Sequence, residues 1–370
     1  MLSRVFTTIR NLKGPDWAFL FLTAFLAAAG SAALYSAASG NLLPWAWPHI
    51  LRYGFGVLLA GLLTLIDLRL LLRHAYSLYA VVLALLVVVE VMGHVGMGAQ
   101  RWINLGIITL QPSELMKIAL VLALARYFHS LPSTEGGRLH RLLVPLLLTA
   151  VPTVLVFMQP NLGNTLLLGA IAVAIFFAAG IPSWIFGMGA AAIAAAVPIV
   201  WASLHAYQKR RVMTFLDPTS DPLGAGYNIN QSLIAFGSGG WSGRGFLEGT
   251  QGRLGFLPER HTDFIFVILG EEFGFIGALF VLLAYMGLVL YGYAVAFRSR
   301  HTFGRLIAVG LATSLFLYLF INTAMVMGLI PVVGIPLPLV SYGGTAMLTV
   351  MLAAGLMLNV SLNPRLGREG

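Results

Sequence analysis

The sequence predicts an all-α polytopic membrane protein: ten transmembrane helices, with a long extracytoplasmic loop between the seventh and the eighth. Three observations support this. Of 370 residues, 59% are hydrophobic and only 9% charged, whereas a soluble domain carries about a quarter charged residues. Apolar runs near the ~20 residues needed to cross a bilayer recur from end to end, and mean hydropathy is +0.88. The basic residues border those runs, so the pI of about 10.0 reflects membrane flanks and not a nucleic-acid face. With no cysteine in the chain, disulfides and thiol chemistry are excluded.

Taken in order, spans are expected at 17–38, 47–66, 75–93, 112–130, 142–159, 164–180, 182–203, 263–294, 304–329 and 337–361. The basic start (Arg4, Arg10, Lys13) leads into an apolar run too long for a signal-peptide core, so it reads as a first anchor. With the N-terminus inside, cytoplasmic segments hold Arg4, Arg10, Lys13, Arg69, Arg73, Arg126, Arg138, Arg141, Arg298, Arg300, Arg305, Arg365 and Arg368, thirteen of the 22 basic residues. The short outer segments hold only Arg52 and Arg101, so both termini are expected in the cytoplasm. One connection departs from short loops: residues 204–262 form a large outer loop, and loops of that length often carry function. Inside it, DPTSDPLGAGYN (217–228) is rich in turn formers, NINQSLIAF (228–236) suits a short amphipathic helix, and GSGGWSGRG (237–245) reads as irregular. No internal repeat is visible, so residues 1–370 are expected to form a single domain.

Ionisable residues inside spans need partners or a wet cavity. In QPSELMK (111–117), Pro112 suits a first helical turn and places Glu114 and Lys117 on one face, either as a self-neutralising pair or as part of a polar cavity. Arg101 and Trp102 sit at the same outer interface, where a cation and an aromatic are ordinary anchors. LPERHTDFIFVILGEEFG (257–274) concentrates Glu259, Arg260, His261, Asp263, Glu271 and Glu272. An eighth span starting at Thr262 or Asp263 makes these residues helix caps. The spacing of Asp263, Gly270, Glu271 and Gly274 also describes one helical stripe, which a cap does not explain.

Other signatures fail. GWSGR (240–244) misses the nucleophile elbow at Arg244, no two histidines are three or four residues apart, and no nucleotide-binding loop occurs. The glycines of 237–245 could bring amides to a phosphate, with a flexible loop as the plainer reading. The remaining polar groups, Arg101, Glu114, Lys117, Gln159, Asn161 and the outer loop, lie toward the outer leaflet and suggest a lipid-borne substrate. IPVVGIPLPLVSYGGT (330–345) breaks the last hairpin with prolines and Ser341-Tyr-Gly-Gly, and reads as a cavity wall or a simple helix end.

The motifs QRWINLG, QPSELMK, QPNLG, INQSLIAFGSGGW, FLPERHTDFIFVILGEEFG and GLIPVVGIPLPLVSYGGT together resemble the SEDS family (shape, elongation, division and sporulation). The spelling ERHTDFIF, the GSGGW loop and the short N-terminal tail look more like its elongation branch, RodA, than its division branch, FtsW. The resemblance implies a peptidoglycan glycosyltransferase of the bacterial cytoplasmic (inner) membrane that polymerises lipid II. It also implies a class B penicillin-binding protein and other elongation-complex proteins as partners. It puts the essential acid on Asp263, the intramembrane pair on Glu114 and Lys117, and the outer-loop arginine on Arg101. The family's usual QPDLGT is QPNLGN here, which puts in doubt any role needing a carboxylate at 161.

Lipid II leaves as a diphosphate and needs no acid, so one carboxylate base plus cations suffices, in contrast to the two carboxylates of glycosidases. Asp263 is the expected base. Lys117, Arg101 or Arg210 could offset the diphosphate charge, with Mg²⁺ or Mn²⁺ as an assisting cation and no nucleotide. Gln159, Glu259, Arg260, His261 and Ser341 complete the candidate cavity. The competing readings are a lipid II flippase, which should place polar sites near mid-membrane, and a non-catalytic scaffold of the elongation machinery.

Overall fold

The computed structural model describes residues 11–92, 94–96, 99–104, 109–131, 139–159, 161–204, 206–217, 225–253, 256–257 and 259–364. Arg4, Arg10, Arg138, Arg365, Arg368, most of the 217–228 turn segment and the side chain of Arg210 lie outside what is described.

Apolar runs become helices because only a helix satisfies its own backbone in lipid. In chain order they are α1 (Gly14–Ala37), α2 (Ala46–Thr64), α3 (Leu68–Met92), α4 (Pro112–His129), α5 (Leu139–Met158), α6 (Leu162–Ala178) and α7 (Ser183–Ser203). The 204–262 segment contributes α8 (Ala206–Leu216), α9 (Ala225–Gly239) and α10 (Thr250–Arg253), before α11 (Ile265–Arg298), α12 (Thr302–Val326) and α13 (Gly344–Leu362). Six of them, α1, α3, α5, α11, α12 and α13, contain stretches long and apolar enough to cross a membrane. Of these, α12 and α13 are the centre, with 72% and 78% of their apolar windows buried against 22–39% in the other four. Helix α11 packs along α12, α13 along α2, and α3 along α4. Small residues allow the closest approach: a Cβ on Gly355 of α13 would lie 2.7 Å from the Ala60 backbone of α2.

The chain is not all-α. Between α3 and α4 it forms a small antiparallel sheet, β1 (His94–Gly96), β2 (Ala99–Asn104) and β3 (Thr109–Leu110), with Ile103 opposite Leu110 and Asn104 opposite Thr109. The alternating, β-branched and aromatic character of this segment favours strand over helix. Thr345 Oγ1 donates to Thr109 O at 2.9 Å, tying the sheet to the start of α13.

Two further expectations are corrected. The last helix begins at Gly344, not at 337, because Pro336, Pro338 and Gly343 hold 330–343 out of helical geometry. That irregular segment is buried at Ile335 and from Leu337 to Ser341, and it is well supplied with partners. Tyr285 Oη donates to Pro338 O, and His49 Nε2 lies 3.0 Å from Leu339 O, where Leu339 has φ +69°.

The second correction concerns the glycine-rich stretch 237–245, which docks onto a break in α11. Gly274 leaves helical geometry (φ 65°, ψ −164°) inside that helix, freeing backbone groups on either side. The loop takes them up: Arg244 N donates to Glu271 O and Gly245 N to Glu272 O, both at 3.0 Å. In return Phe275 N donates to Gly240 O (2.8 Å) and Ile276 N to Trp241 O (3.1 Å), while Gly243 N is closed onto Gly239 O. The amides of 243–245 are therefore committed to protein carbonyls and not presented to a phosphate.

The same junction accounts for the acidic pair. Glu271 Oε1 accepts Thr250 N (2.7 Å), Thr250 Oγ1 (3.0 Å) and Gln251 N (3.0 Å), capping α10 from outside its own sequence. Glu272 Oε1 accepts the Ser36 hydroxyl of α1. The two carboxylates join α11 to the end of the 204–262 segment and to α1.

A side chain at 274 meets both a forbidden backbone region and a wall, since its Cβ would lie 2.3 Å from Gly243 N. Gly274→Ala should cost at least about 1–3 kcal/mol and lower the thermal unfolding midpoint in detergent; an unchanged midpoint contradicts the clamp.

Candidate functional site

Asp263 sits on a turn and not in a helix. Thr262 N donates to Glu259 O at 3.1 Å, Phe264 N to the same oxygen at 3.3 Å, and Thr262 Oγ1 to Glu259 Oε2 at 2.8 Å. Helix α11 starts two residues later, at Ile265, with Phe264 at the N-cap and no side-chain cap. This corrects both the capping role considered for Asp263 and its place in a helical stripe with Glu271. Residues 259–264 are half-buried up to Asp263 and buried from Phe264 onward, so the carboxylate stands where the 204–262 segment runs into helix α11.

Two bonds fix the turn to the rest of the protein. Tyr342 N donates to His261 O at 2.8 Å, and Asn322 Nδ2 of α12 donates to Asp263 O at 2.9 Å. The His261 ring stacks on Trp45 (4.6 Å between centroids, 5° between planes), and Arg260 lies 5.8 Å over the same indole. Burial holds the His261 imidazole below its ordinary pKa; Glu259 pulls it back up and Arg260 adds to the lowering. His261 is thus a neutral stacking ring at pH 7, leaving arginines as the cations of this region. One is Arg260. The other is Arg52, whose Nη2 donates to Tyr342 Oη at 3.1 Å and whose guanidinium lies 4.5 Å over the Tyr342 ring. Ser341, next to it, is buried, and its Oγ accepts Leu337 N at 2.7 Å, closing a turn of the 330–343 segment.

Glu114 and Lys117 form a second, closed cluster. Pro112 starts α4, and both side chains are buried, 2% and 1% exposed. Lys117 Nζ donates to Glu114 Oε1 (2.7 Å), Asn164 Oδ1 (2.9 Å) and the Tyr318 hydroxyl, which in turn donates to Glu114 Oε2. All three ammonium protons therefore have protein acceptors. Asn164 Nδ2 donates to Ser113 Oγ (3.1 Å), and Asn161 Oδ1 accepts Asn164 N as the N-cap of α6. At position 161, then, the amide does the capping work a carboxylate would also do, and Asn164 is the residue that reaches Lys117.

Arg101 and Gln159 meet at a third place. Arg101 Nε donates to Gln159 O at 3.0 Å, and Gln159 Nε2 to Leu86 O at 3.1 Å, which joins β2 to the ends of α5 and α3.

Sequence reading missed Trp45, Arg52, Asn322 and Tyr342 around Asp263, and Tyr318 beside the ion pair. For Arg52 a signal existed: it is one of two basic residues in the short outer segments. Among the described residues no group of three or more His, Asp or Glu side chains is arranged to hold a metal ion.

Removing one partner of the buried pair strands the other. Lys117→Met should lower stability by about 3–5 kcal/mol, with most of it restored in Glu114→Gln/Lys117→Met; an unchanged unfolding midpoint for the single variant contradicts the closed network.

Comparison with known proteins shows the family. The profile of the FtsW, RodA and SpoVE cell cycle proteins matches residues 17–366. The peptidoglycan glycosyltransferase MrdB of Escherichia coli (strain K12) is 43% identical over 334 residues, 89% of each chain. Among solved structures, a chain from a study of polymerization and crosslinking by a peptidoglycan synthase complex superposes with TM-score 0.84 at 33% identity, covering 96% of this chain and 100% of that one. The rod shape determining protein RodA of Thermus thermophilus superposes with TM-score 0.72 at 30% identity, covering 95% and 98%. The chain belongs to the family of FtsW, RodA and SpoVE, the SEDS proteins, and within it to the RodA branch.

Proposed function

We propose that this protein is a peptidoglycan glycosyltransferase of the bacterial cytoplasmic membrane, polymerising lipid II during cell elongation, with Asp263 as general base. The supporting observation is a carboxylate on a turn held from two sides at the start of a membrane helix, with Arg260 in the same turn and Arg52 on Tyr342, whose N–H bonds that turn. In the reaction Asp263 accepts the proton of the acceptor sugar's 4-hydroxyl as that oxygen attacks the donor's anomeric carbon. The bond from that carbon to the diphosphate breaks with inversion, and undecaprenyl diphosphate departs. Its charge requires cations in place of an acid. Arg52 and Arg260 are the cations we assign to it, since Lys117 has all its protons engaged.

A divalent ion fits this site only in part. Asp263 and Glu259 could share a hydrated Mg²⁺ or Mn²⁺ with the substrate's own oxygens, as Mg²⁺ sites of one or two carboxylates do; such an ion would supply further charge neutralisation.

The reading includes a single 1–370 domain of ten spans with both termini cytoplasmic and 204–262 outside, which places Asp263 on the side where lipid-linked sugar is exposed. A class B penicillin-binding protein is the proposed partner, by analogy with the peptidoglycan synthase complex. Transport of a headgroup would ask for an open polar site at mid-membrane, and the Glu114–Lys117 cluster is filled with its own partners.

Purified protein, with and without a penicillin-binding partner, should convert labelled lipid II to glycan ladders without nucleotide. Asp263→Asn should reduce polymer at least ~100-fold. Equal polymer from both proteins overturns the mechanism; headgroup translocation in liposomes without polymer overturns the enzyme.

A further inference from the structure

Asn322 is fully buried in α12, one turn beyond Tyr318 on the same face. Its Nδ2 donates to two carbonyls at once, Asp263 O at 2.9 Å and Ile335 O at 2.7 Å. Only the NH₂ end of the amide can face two acceptors, so its orientation follows from its surroundings. The two carbonyls belong to segments far apart in sequence, the 259–264 turn and the irregular 330–343 segment. Its Oδ1, by contrast, is buried and meets no donor among the described residues. A leucine would fill similar space without an orphaned oxygen, so packing alone does not account for an amide here.

The Ile335 end of this clamp matters because its neighbour Gly334 lies close to the carboxylate. Gly334 adopts φ +72°, and a Cβ built on it would lie 3.4 Å from Asp263 Oδ2. The carboxylate thus lies along a bare stretch of backbone, on an exposed edge of the 330–343 segment. One side chain fixes both the main chain that carries Asp263 and the residue next to the wall its carboxylate lies against.

We propose that Asn322 is a positioning residue for glycosyl transfer, setting the distance between the Asp263 carboxylate and the Gly334 wall so that the carboxylate meets the acceptor hydroxyl. This rests on Asp263 being the base. Asn322 touches no substrate, so its loss should act on turnover and not on substrate binding. An error of about 1 Å in such a placement costs up to ~100-fold in rate.

The test compares Asn322→Asp, which replaces the double donor at nearly constant volume, with Gly334→Ala, which strains the wall at its φ of +72° and sets a methyl 3.4 Å from the carboxylate. Initial rates of lipid II polymerisation give kcat and KM, and thermal unfolding in detergent reports folding. Both variants should lose about 10- to 100-fold in kcat with KM within about twofold of wild type. If Asn322→Asp does not fold, Gly334→Ala decides. Wild-type kcat in a folded variant, or a loss carried by KM, overturns the inference. Asp263→Asn, run alongside, separates the two levels: if it polymerises normally, the base assignment fails, and if it is inactive while both other variants turn over normally, positioning alone fails.

Discussion

A peptide N–H or C=O left unpaired in a hydrocarbon layer costs several kcal/mol. This chain nevertheless abandons helical geometry at two places, the buried Gly274 and residues 330–343, of which Ile335 and 337–341 are buried. Both are held by groups brought from elsewhere. At Gly274, the loop around 240–245 exchanges four backbone hydrogen bonds with the helix. At 330–343, Tyr285, His49 and Asn322 reach the carbonyls of Pro338, Leu339 and Ile335. Satisfying irregular backbone is the constraint that ties the 204–262 segment to the membrane helices.

The site inherits its rigidity from those two places. The turn that carries Asp263 is bonded to Tyr342 of the 330–343 segment and to Asn322 of α12, and it leads directly into the broken helix α11 at Ile265. Glu271 and Glu272 hold α10 and α1 against the broken helix below it. Helix α12 adds a second connection: Tyr318 reaches the Glu114–Lys117 pair and Asn322 reaches Asp263, four residues and about 6 Å of rise apart. A base whose pKa and reach matter benefits from such placement, because proton transfer is sensitive to small displacements.

What the sequence made legible was local. Hydrophobic runs mark the helices, and the prolines and glycines of 330–345 mark a break, though they did not show that helix resumes only at Gly344. Glu271 looked like part of a stripe because helical periodicity was counted from Asp263; the turn before Ile265 and the break at Gly274 both remove that assumption. The strand around Arg101 was hidden because an aromatic and a cation at a span end also describe an interfacial anchor. Asn322 and Trp45 were not readable at all. Each is a single polar or aromatic residue within or beside an apolar run, and it acquires its place only when α12, α2 and the 330–343 segment meet around the Asp263 turn.

Hydrogen–deuterium exchange in detergent or nanodiscs tests the central claim, that committed backbone holds the site rigid, most directly. The amides of Gly243, Arg244, Gly245, Phe275, Ile276 and Tyr342 all donate to protein carbonyls. They should exchange as slowly as helix interior, although the first three lie in a glycine-rich loop. Exchange of 243–245 and 342 at the rate of an unstructured peptide would contradict the account.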